Sequence, residues 1–288
     1  MNGRNKEHLD LVRKKHVVQA QLDFFKIFEK GGGGVRMIEE PDAVWSVQEV
    51  IRQLAPMSVA GWEKVRIGGD GDGGYVMLDP GCGGIAYSLG VSPHSPWDLE
   101  MAEHGFKVYQ YDASIDEQPD AHPNLFFHKY FVSGVRNDGI YKTLDRIIAE
   151  NGHQGETDII LQMDVEGAEW EVLRHIRRET MMRFKQIVFE FHDIGILANR
   201  YSVLRKLRET HTPVHFHYNN NTPRCSYLPG PGFIYSEGAV EVSCVRNDAL
   251  LFSECGDYFP TPLDQRNGDK YLSDIPIGYF DLLLREPW

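Results

Sequence analysis

Short apolar runs alternate with helically spaced apolar residues through the middle of the chain. The run at 159–163 contains β-branched residues, which predicts a strand buried on both faces. Asp164, Glu166 and Gly167 follow it, and helical spacing resumes over 168–176. Open α/β sheets bind ligands at the carboxyl ends of their strands, so the two acids are candidate site residues. An acidic cap on the following helix explains them equally well at this point.

The same alternation predicts the fold. Strands are expected at 85–89, 107–111, 125–132, 159–163, 186–191, 214–218 and 240–245, and helices at 96–105, 140–149, 168–176 and 201–208. Strands that alternate with helices form a mostly parallel sheet covered on both faces. No helix is evident between the last two strands, so we expect them to pair antiparallel at one edge. The predicted class is α/β: a Rossmann-like, seven-stranded, mostly parallel sheet with an antiparallel edge strand and an N-terminal helical arm.

The flanking segments add further elements. The arm is a helix predicted over 5–30. Its apolar stripe is expected to be Leu11, Val18, Leu22 and Phe25, widened by Phe24 and Phe28. Four glycines, Gly31 to Gly34, follow as a flexible joint. The arm packs either on the domain or on a second subunit, which would make a homo-oligomer through this helix. A second helix fits 41–54.

These patterns predict the organisation of the chain. We expect a helical arm and glycine linker over 1–34, a globular domain over 35–255, and an irregular tail over 256–288 packed on that domain. The polar stretch 219–239 is too long for a simple hairpin loop, which predicts a substrate loop or lid.

A strand, a glycine turn, a helix and a strand ending in an acid occupy 85–112. Gly90 lies in the turn, and Asp112 follows 22 residues later. In dinucleotide-binding folds, an acid at about this interval binds the ribose hydroxyls. The turn has a single glycine and contains Pro93, which offers no N–H to a phosphate. It favours an adenosine ligand without phosphates, such as S-adenosylmethionine, over a nicotinamide dinucleotide.

Acidic residues support this choice of ligand. The sulfonium and ammonium groups of S-adenosylmethionine favour an acidic pocket, and Asp72, Asp112, Asp164 and Glu166 supply one. Asp72 belongs to a cluster of glycines and acids, and we expect the loop from Gly71 to Tyr75 to close over the cofactor.

The composition limits the partners. The formal net charge is −12 at pH 7, which disfavours nucleic acid. The four cysteines have no CxxC pair, which favours free thiols in a reducing compartment. No apolar run approaches the ~18 residues of a transmembrane segment, and the first residues lack the apolar core of a signal peptide. We expect a cytoplasmic protein with no nucleic-acid partner.

Five motifs together resemble a known family. GDGDGGYVMLD, IAYSLGVS, KVYQYDAS, DIILQMDVEGAEWEVL and IVFEFHD occur in this order. They resemble the class I S-adenosylmethionine-dependent methyltransferases, in the group similar to the FkbM and methyltransferase-like 24 families. The resemblance covers about 62–250. It implies a seven-stranded sheet with an antiparallel last strand, and transfer of a methyl group to a hydroxyl of a sugar, glycan or other small metabolite.

The motifs and the fold together predict the site. The cofactor-binding residues are expected to be Asp72, Gly73, Tyr75, Ser88, Gly90, Asp112, Ala113, Ser114, Ser133, Asp164 and Glu166. An alcohol is a poor nucleophile while protonated, so catalysis needs a base or a metal ion. His192 is predicted as the base, with Asp164 beside it; a histidine satisfied by hydrogen bonds is the alternative. Glu169 and Glu171 are interpreted as solvated helix positions.

A divalent metal ion is a second possibility. His215, His217 and Asn219 share one face of a predicted strand. Asp164, His192 and His217 are the candidate ligands, although two histidines on an edge strand are more often polar surface. Two other classes of function stay open: a nicotinamide-dependent oxidoreductase, and an inert cofactor-binding or scaffolding domain.

Overall fold

The computed structural model describes residues 3–195, 200–221, 224–229, 232–248, 250–268 and 274–283. The helices are α1 Gly3–Lys30, α2 Pro41–Leu54, α3 Pro96–Glu103, α4 Leu144–Glu150, α5 Glu169–His175, α6 Arg178–Met181, α7 Arg200–Arg208 and α8 Phe280–Leu283. The strands are β1 Gly34–Met37, β2 Met57–Val59, β3 Lys64–Ile67, β4 Tyr75–Leu78, β5 Gly84–Leu89, β6 Phe106–Tyr111, β7 Leu125–His128, β8 Phe131–Val132, β9 Tyr141–Lys142, β10 Ile159–Met163, β11 Phe184–Phe191, β12 His211–Tyr218, β13 Arg224–Leu228, β14 Phe233–Ser236, β15 Val240–Arg246 and β16 Phe252–Glu254.

The central sheet has seven strands in the order β12-β15-β11-β10-β5-β6-β7. The strands from β11 to β7 are parallel, and β15 runs antiparallel to both of its neighbours. The predicted parallel sheet with an antiparallel strand is confirmed, but that strand lies second from the edge. The reason is the connection: β12 ends at the carboxyl edge and no helix returns the chain, so β15 enters from that edge and fills the space beside β11.

Apolar residues alternate between the two faces of the sheet, as expected for strands covered by helices. On one face, Leu161 and Phe189 belong to a core that includes residues of α4, α5 and α7. On the other face, Ile160 and Val188 pack with Trp97 of α3. Burial on both faces fixes the register of the strands and therefore where each strand ends.

Two local predictions are corrected. The strand expected at 125–132 is broken, because the chain turns after His128, where Tyr130 N–H donates to its carbonyl at 2.8 Å. β7 stays in the central sheet and β8 pairs with β9. The helix expected at 140–149 begins only at Leu144, because Tyr141 and Lys142 form β9.

Helix α1 forms as predicted, and of its wide apolar stripe only the side that carries Phe24 and Phe28 is fully buried. Leu11, Val18 and Leu22 are each about half exposed, whereas Phe24 and Phe28 lie in the core with ring centroids 5.0 Å apart. The stripe through 17, 21, 24 and 28 is buried because it carries the larger aromatic surface. At the other end, Arg13 forms an ion pair with Asp281 at 2.6 Å, so the arm packs on its own chain. Association through this helix stays a prediction.

The glycines after α1 do not form a loose joint. Gly31 N–H donates to the Ile27 carbonyl at 3.0 Å, and Gly33 N–H donates to that of Phe28 at 2.9 Å. A Cβ on Gly33 would lie 2.4 Å from the Phe28 ring. Gly34 already belongs to β1, so the segment is a tight turn between a helix and a strand.

The stretch 219–239 contains a hairpin rather than an irregular loop. β13 and β14 pair antiparallel, and β1 adds to β13 in a second, three-stranded sheet. In the tail, Phe259 and Phe280 belong to the main core. Within the described residues, the helices lack the combination of length and hydropathy that crossing a membrane needs. The predicted domain boundaries stay predictions.

Candidate functional site

The turn after β5 is pressed against the end of β10. Gly90 has φ +85°, and its N–H donates to the Tyr111 carbonyl at 3.0 Å. The Asp164 N–H donates to the Leu89 carbonyl at 2.9 Å. A Cβ on Gly90 would lie 1.6 Å from the Asp164 carbonyl oxygen. Only glycine fits here, and its absence of a side chain lets the turn lie directly beside Asp164.

Asp112 holds this turn. One carboxylate oxygen accepts from the Val91 N–H at 2.9 Å, and the other accepts from the Ser114 N–H at 2.6 Å. Asp112 is 9% exposed, so its carboxylate is reached from one side. Each oxygen can accept a second hydrogen bond, which leaves capacity for a pair of hydroxyls.

Three side chains from two neighbouring strand ends form a compact group, which we call the edge cluster: Asp164, Glu166 and His192. His192 Nε2 lies 3.4 Å from Glu166 Oε2 and 3.8 Å from Asp164 Oδ1. Asp164 and His192 are partly buried, while the Glu166 side chain is 87% exposed. The prediction that these acids and His192 meet at the carboxyl edge agrees with this arrangement.

Glu169 orients the edge cluster from below. It is fully buried, and its Oε1 accepts from the N–H groups of Val165 at 2.9 Å and Gly167 at 3.3 Å. The same oxygen lies 3.2 Å from His192 Nδ1. The interpretation of Glu169 as a solvated position was wrong. The sequence could have indicated this role, because Glu169 lies in the first turn of α5, where an acid can accept from the N–H groups that precede it.

The backbone that follows Asp164 and the backbone that follows His192 are constrained. Glu166 has φ +54° and Asp193 has φ +51°, a left-handed conformation that non-glycine residues seldom adopt. The Trp170 indole N–H donates to the His192 carbonyl at 2.8 Å. Such strain persists where the surrounding packing imposes it, and it often occurs at functional sites.

The edge cluster carries an excess of negative charge. Burial lowers the pKa of His192, but Glu169, Asp164 and Glu190 together raise that pKa above its usual value. Burial raises the pKa of Asp164, and His192 opposes that rise while Glu166 and Glu169 add to it. Both shifts favour retention of a proton at Asp164 and at His192.

Tyr75 connects the glycine-rich loop to the edge cluster. Its hydroxyl is fully buried and donates to Asp164 Oδ2 at 3.3 Å. The loop before it is held by Arg66, which donates to the carbonyls of Gly69 and Gly71 at 2.6 Å. Gly73 packs on Pro96 and Asp72 accepts from Asn267 at 3.2 Å, so the loop is ordered beside the site.

Residues 95–211 match the family model described as the methyltransferase FkbM domain. This segment of the chain is therefore similar to that family. The match includes Asp112, all three residues of the edge cluster and Glu169, and the resemblance found in the sequence is confirmed.

Individual proteins show the same similarity. The chain is 27% identical over 149 residues to the probable methyltransferase-like protein 24 of Homo sapiens, covering 43% of this chain and 39% of the relative. The chain thus spans well under half the length of that relative. Similar solved structures include a putative S-adenosylmethionine-dependent methyltransferase from Listeria monocytogenes, with 9% identity and a TM-score of 0.34 over 73% of this chain and 100% of that one. A putative methyltransferase from an antibiotic biosynthesis pathway of Anabaena variabilis has 13% identity and a TM-score of 0.26 over 49% and 62%. The fold is established by the strand order of the central sheet, and not by these two similarities.

The residues at the carboxyl edge of the central sheet fit S-adenosylmethionine. The Gly90 turn allows close approach of a ligand, and Asp112 keeps acceptor capacity beside it. The carboxylates of the edge cluster suit a ligand with a sulfonium and an ammonium group, and they would repel a pyrophosphate. This donor set therefore fits S-adenosylmethionine better than a nicotinamide dinucleotide.

Two side chains that were predicted to contact the cofactor have hydrogen-bond partners within the protein. The buried Ser88 hydroxyl donates to Gln162 Oε1 at 3.1 Å, beneath the turn. The Ser133 hydroxyl donates to Glu171 Oε2 at 3.2 Å. Glu171 is therefore exposed, as predicted, but its carboxylate is hydrogen bonded. Ala113 and Ser114 follow Asp112, where Ser114 contributes its N–H. Direct contacts of these four residues with a cofactor stay predictions.

The structure does not bring His217 to the edge cluster. His217 Nδ1 lies 2.9 Å from Glu241, and Nε2 lies 2.9 Å from Asp274, so neither nitrogen is available as a ligand. His215 is paired with Asp264 at 2.7 Å. The proposed ligand role of His217 was wrong because both histidines bind acids of β15 and the tail, which the spacing of the strand did not reveal.

Sequence reasoning missed two further acids. Glu190 and Glu241 face each other in register on β11 and β15, and both are nearly buried. Glu190 accepts from the Asn219 amide at 2.8 Å, and Glu241 accepts from Asn267. Burial is the main cause that raises the pKa of Glu190, and the charges of Asp164 and Glu241 raise it further. Glu190 precedes His192 by two residues in IVFEFHD. Residues two apart on a strand point to the same face, so the sequence could have placed Glu190 on the same side as His192.

Proposed function

We propose that this protein is an S-adenosylmethionine-dependent O-methyltransferase that acts on a hydroxyl of a sugar, glycan or related small metabolite. The observation that carries the proposal is the contact between the Gly90 turn and Asp164, which joins a cofactor turn to the edge cluster. Methyl transfer by this family is supported by the FkbM match. The choice of a hydroxyl acceptor rests on the chemistry of the edge cluster.

The cofactor is assigned to the carboxyl edge. Asp112 is proposed to bind the ribose hydroxyls through its remaining acceptor capacity, and the backbone at Gly90 to lie against the methionine part. When bound, S-adenosylmethionine supplies an electrophilic methyl group on a sulfonium. Tyr75 and the loop from Gly71 close the other side and reduce the access of water.

The edge cluster is proposed to prepare the acceptor. The acceptor hydroxyl lies over Asp164 and His192, in line with the methyl group. As the oxygen–carbon bond forms and the carbon–sulfur bond breaks, the hydroxyl proton passes to the Asp164–His192 pair. Glu169 holds His192 in place through Nδ1. An acceptor oxygen thereby becomes more nucleophilic at near-neutral pH.

The charge around the site supports a neutral or cationic acceptor. Glu190 lies 3.9 Å from His192 and opposite Glu241, and Asn267 donates to both Glu241 and Asp72. Carboxylates hydrogen bond well to sugar hydroxyls. Phosphorylated or carboxylated acceptors would be repelled. The four cysteines are free, which supports the proposed reducing, cytoplasmic location.

Calorimetry and a labelled-cofactor assay test the proposal. S-adenosylmethionine should bind while NAD should not, and labelled methyl should appear on members of a panel of neutral sugars. Binding of NAD alone would favour the oxidoreductase. Binding of S-adenosylmethionine without transfer to any hydroxylated acceptor, in a panel that includes amines and thiols, would argue against O-methylation and favour an inert domain or another acceptor atom.

A further inference from the structure

We propose that Asp164, Glu166 and His192 bind a divalent metal ion through Asp164 Oδ1, Glu166 Oε2 and His192 Nε2. The proposal rests on the proposed function, because it places the ion where the acceptor hydroxyl lies. One ligand atom from each of these residues lies within 4.8 Å of the others. A mixed set of one imidazole and two carboxylates suits Mn²⁺, Zn²⁺ or a similar ion.

The distances between these atoms are close to those of a coordination shell. Ligands about 2.1 Å from an ion lie roughly 3.0 to 3.5 Å from one another. His192 Nε2 is 3.4 Å from Glu166 Oε2 and 3.8 Å from Asp164 Oδ1. A rotation of the exposed Glu166 side chain and small shifts of the others would complete the geometry.

An independent feature is the orientation of the imidazole. His192 Nδ1 faces the buried Glu169 carboxylate at 3.2 Å, so Nε2 is the ring nitrogen that points to the edge cluster. Histidines that bind metals commonly donate their other N–H to a carboxylate in this way. Glu169 is itself fixed by two backbone N–H groups. Its second oxygen is buried and has no hydrogen-bond partner among the described residues.

The backbone and the charges agree with a cation. The left-handed conformation of Glu166 turns its carboxylate toward His192 instead of away along the chain. Four carboxylates, those of Asp164, Glu166, Glu169 and Glu190, lie within 4 Å of the ring nitrogens of His192. A divalent ion beside these carboxylates would lower the electrostatic cost of ionising them.

A bound ion would change how the acceptor is activated. Three protein ligands leave open positions, and the acceptor hydroxyl would fill one of them. Coordination makes a hydroxyl more acidic, and its proton would then leave to solvent on the exposed side of Glu166. Asp164 and His192 would serve as ligands rather than as the proton acceptor.

Titration of the tag-free full chain with Mn²⁺ tests the proposal. After treatment with EDTA and its removal, free Mn²⁺ is followed by electron paramagnetic resonance. We expect saturable binding of one ion per chain, weakened at least about 10-fold in Glu166→Gln, Asp164→Asn and His192→Asn. Asp193→Asn is the matched control, since asparagine tolerates the left-handed conformation, and it should bind as the wild type does.

The outcomes separate this proposal from the proposed function. Absence of saturable binding up to about 1 mM Mn²⁺ would overturn it, as would equal binding by wild type and Glu166→Gln. Because the Glu166 side chain is exposed, that variant should keep its fold, which circular dichroism verifies. S-adenosylmethionine binding is measured separately in the presence of EDTA, so its failure counts against the methyltransferase proposal alone.

Discussion

His192 Nδ1 lies 3.2 Å from Glu169 Oε1, and this contact turns the opposite ring nitrogen toward Asp164 and Glu166. Glu169 also accepts two backbone N–H groups of the turn between β10 and α5. A single buried carboxylate therefore joins the turn after one strand to the side chain at the end of the next.

Replacing Glu169 should lower the pKa of His192. Burial lowers this pKa, and Glu169 is the largest of the groups that raise it. With Glu169→Gln, the imidazole loses that charge and should release its proton at lower pH, as measured by NMR titration in EDTA. Glu171→Gln, on the same helix but bonded to Ser133, should leave the titration unchanged. An unchanged midpoint in Glu169→Gln would show that the other carboxylates dominate.

Asp112→Ala should weaken S-adenosylmethionine binding. Losing the carboxylate removes the turn contacts and the proposed ribose contacts, which should cost roughly 1.5 to 3 kcal/mol, about 10-fold to 150-fold in Kd. Calorimetry measures the change. Asp116→Ala is the control, since Asp116 is exposed and pairs with Lys129. Equal affinity of Asp112→Ala and wild type would contradict the cofactor assignment.

Gly90→Ala should destabilise the fold at the site. The new Cβ would collide with the Asp164 carbonyl, and φ is +85°, so we expect a loss of roughly 3 kcal/mol or more. Gly81→Ala has a similar φ of +73° with no heavy atom within 4 Å, and should cost only about 1 kcal/mol. Urea denaturation compares the two. Similar losses of stability in the two variants would mean that backbone strain, and not the contact with Asp164, explains why position 90 requires glycine.

The pairing of His217 should make stability fall at high pH. Burial lowers the pKa of His217, but Glu241 and Asp274 raise it well above its usual value. A histidine whose pKa is higher in the folded state stabilises the fold fully below about pH 6.5. That contribution is lost as pH rises through the folded pKa, by up to about 1.4 kcal/mol per pH unit.

His217→Gln provides the comparison for this dependence. Denaturation between pH 6 and pH 10 should show a shallower decline for the variant than for the wild type, since the variant has no imidazole to lose its proton. Parallel curves would mean that His217 has the same pKa in the folded and unfolded states.

The sequence by itself determined the strand order along the chain and the residues at the carboxyl edge. Period-two and period-3.6 patterns identify strands and helices, and a glycine turn followed by an acid at a fixed interval places Gly90 and Asp112. Asp164, Glu166 and His192 could be placed near one another because parallel neighbouring strands end at the same edge. These inferences need only local patterns and the general rules of α/β sheets.

The tertiary structure decided which partners each side chain has. The spacing predicts only that Glu169 lies on a helix; it is buried because that helix starts under His192. His217 binds Glu241 and Asp274 rather than the edge cluster. In α1, two apolar stripes were available, and packing buried the one that carries Phe24 and Phe28. Such choices depend on contacts between residues far apart in the chain, for which local periodicity carries no information.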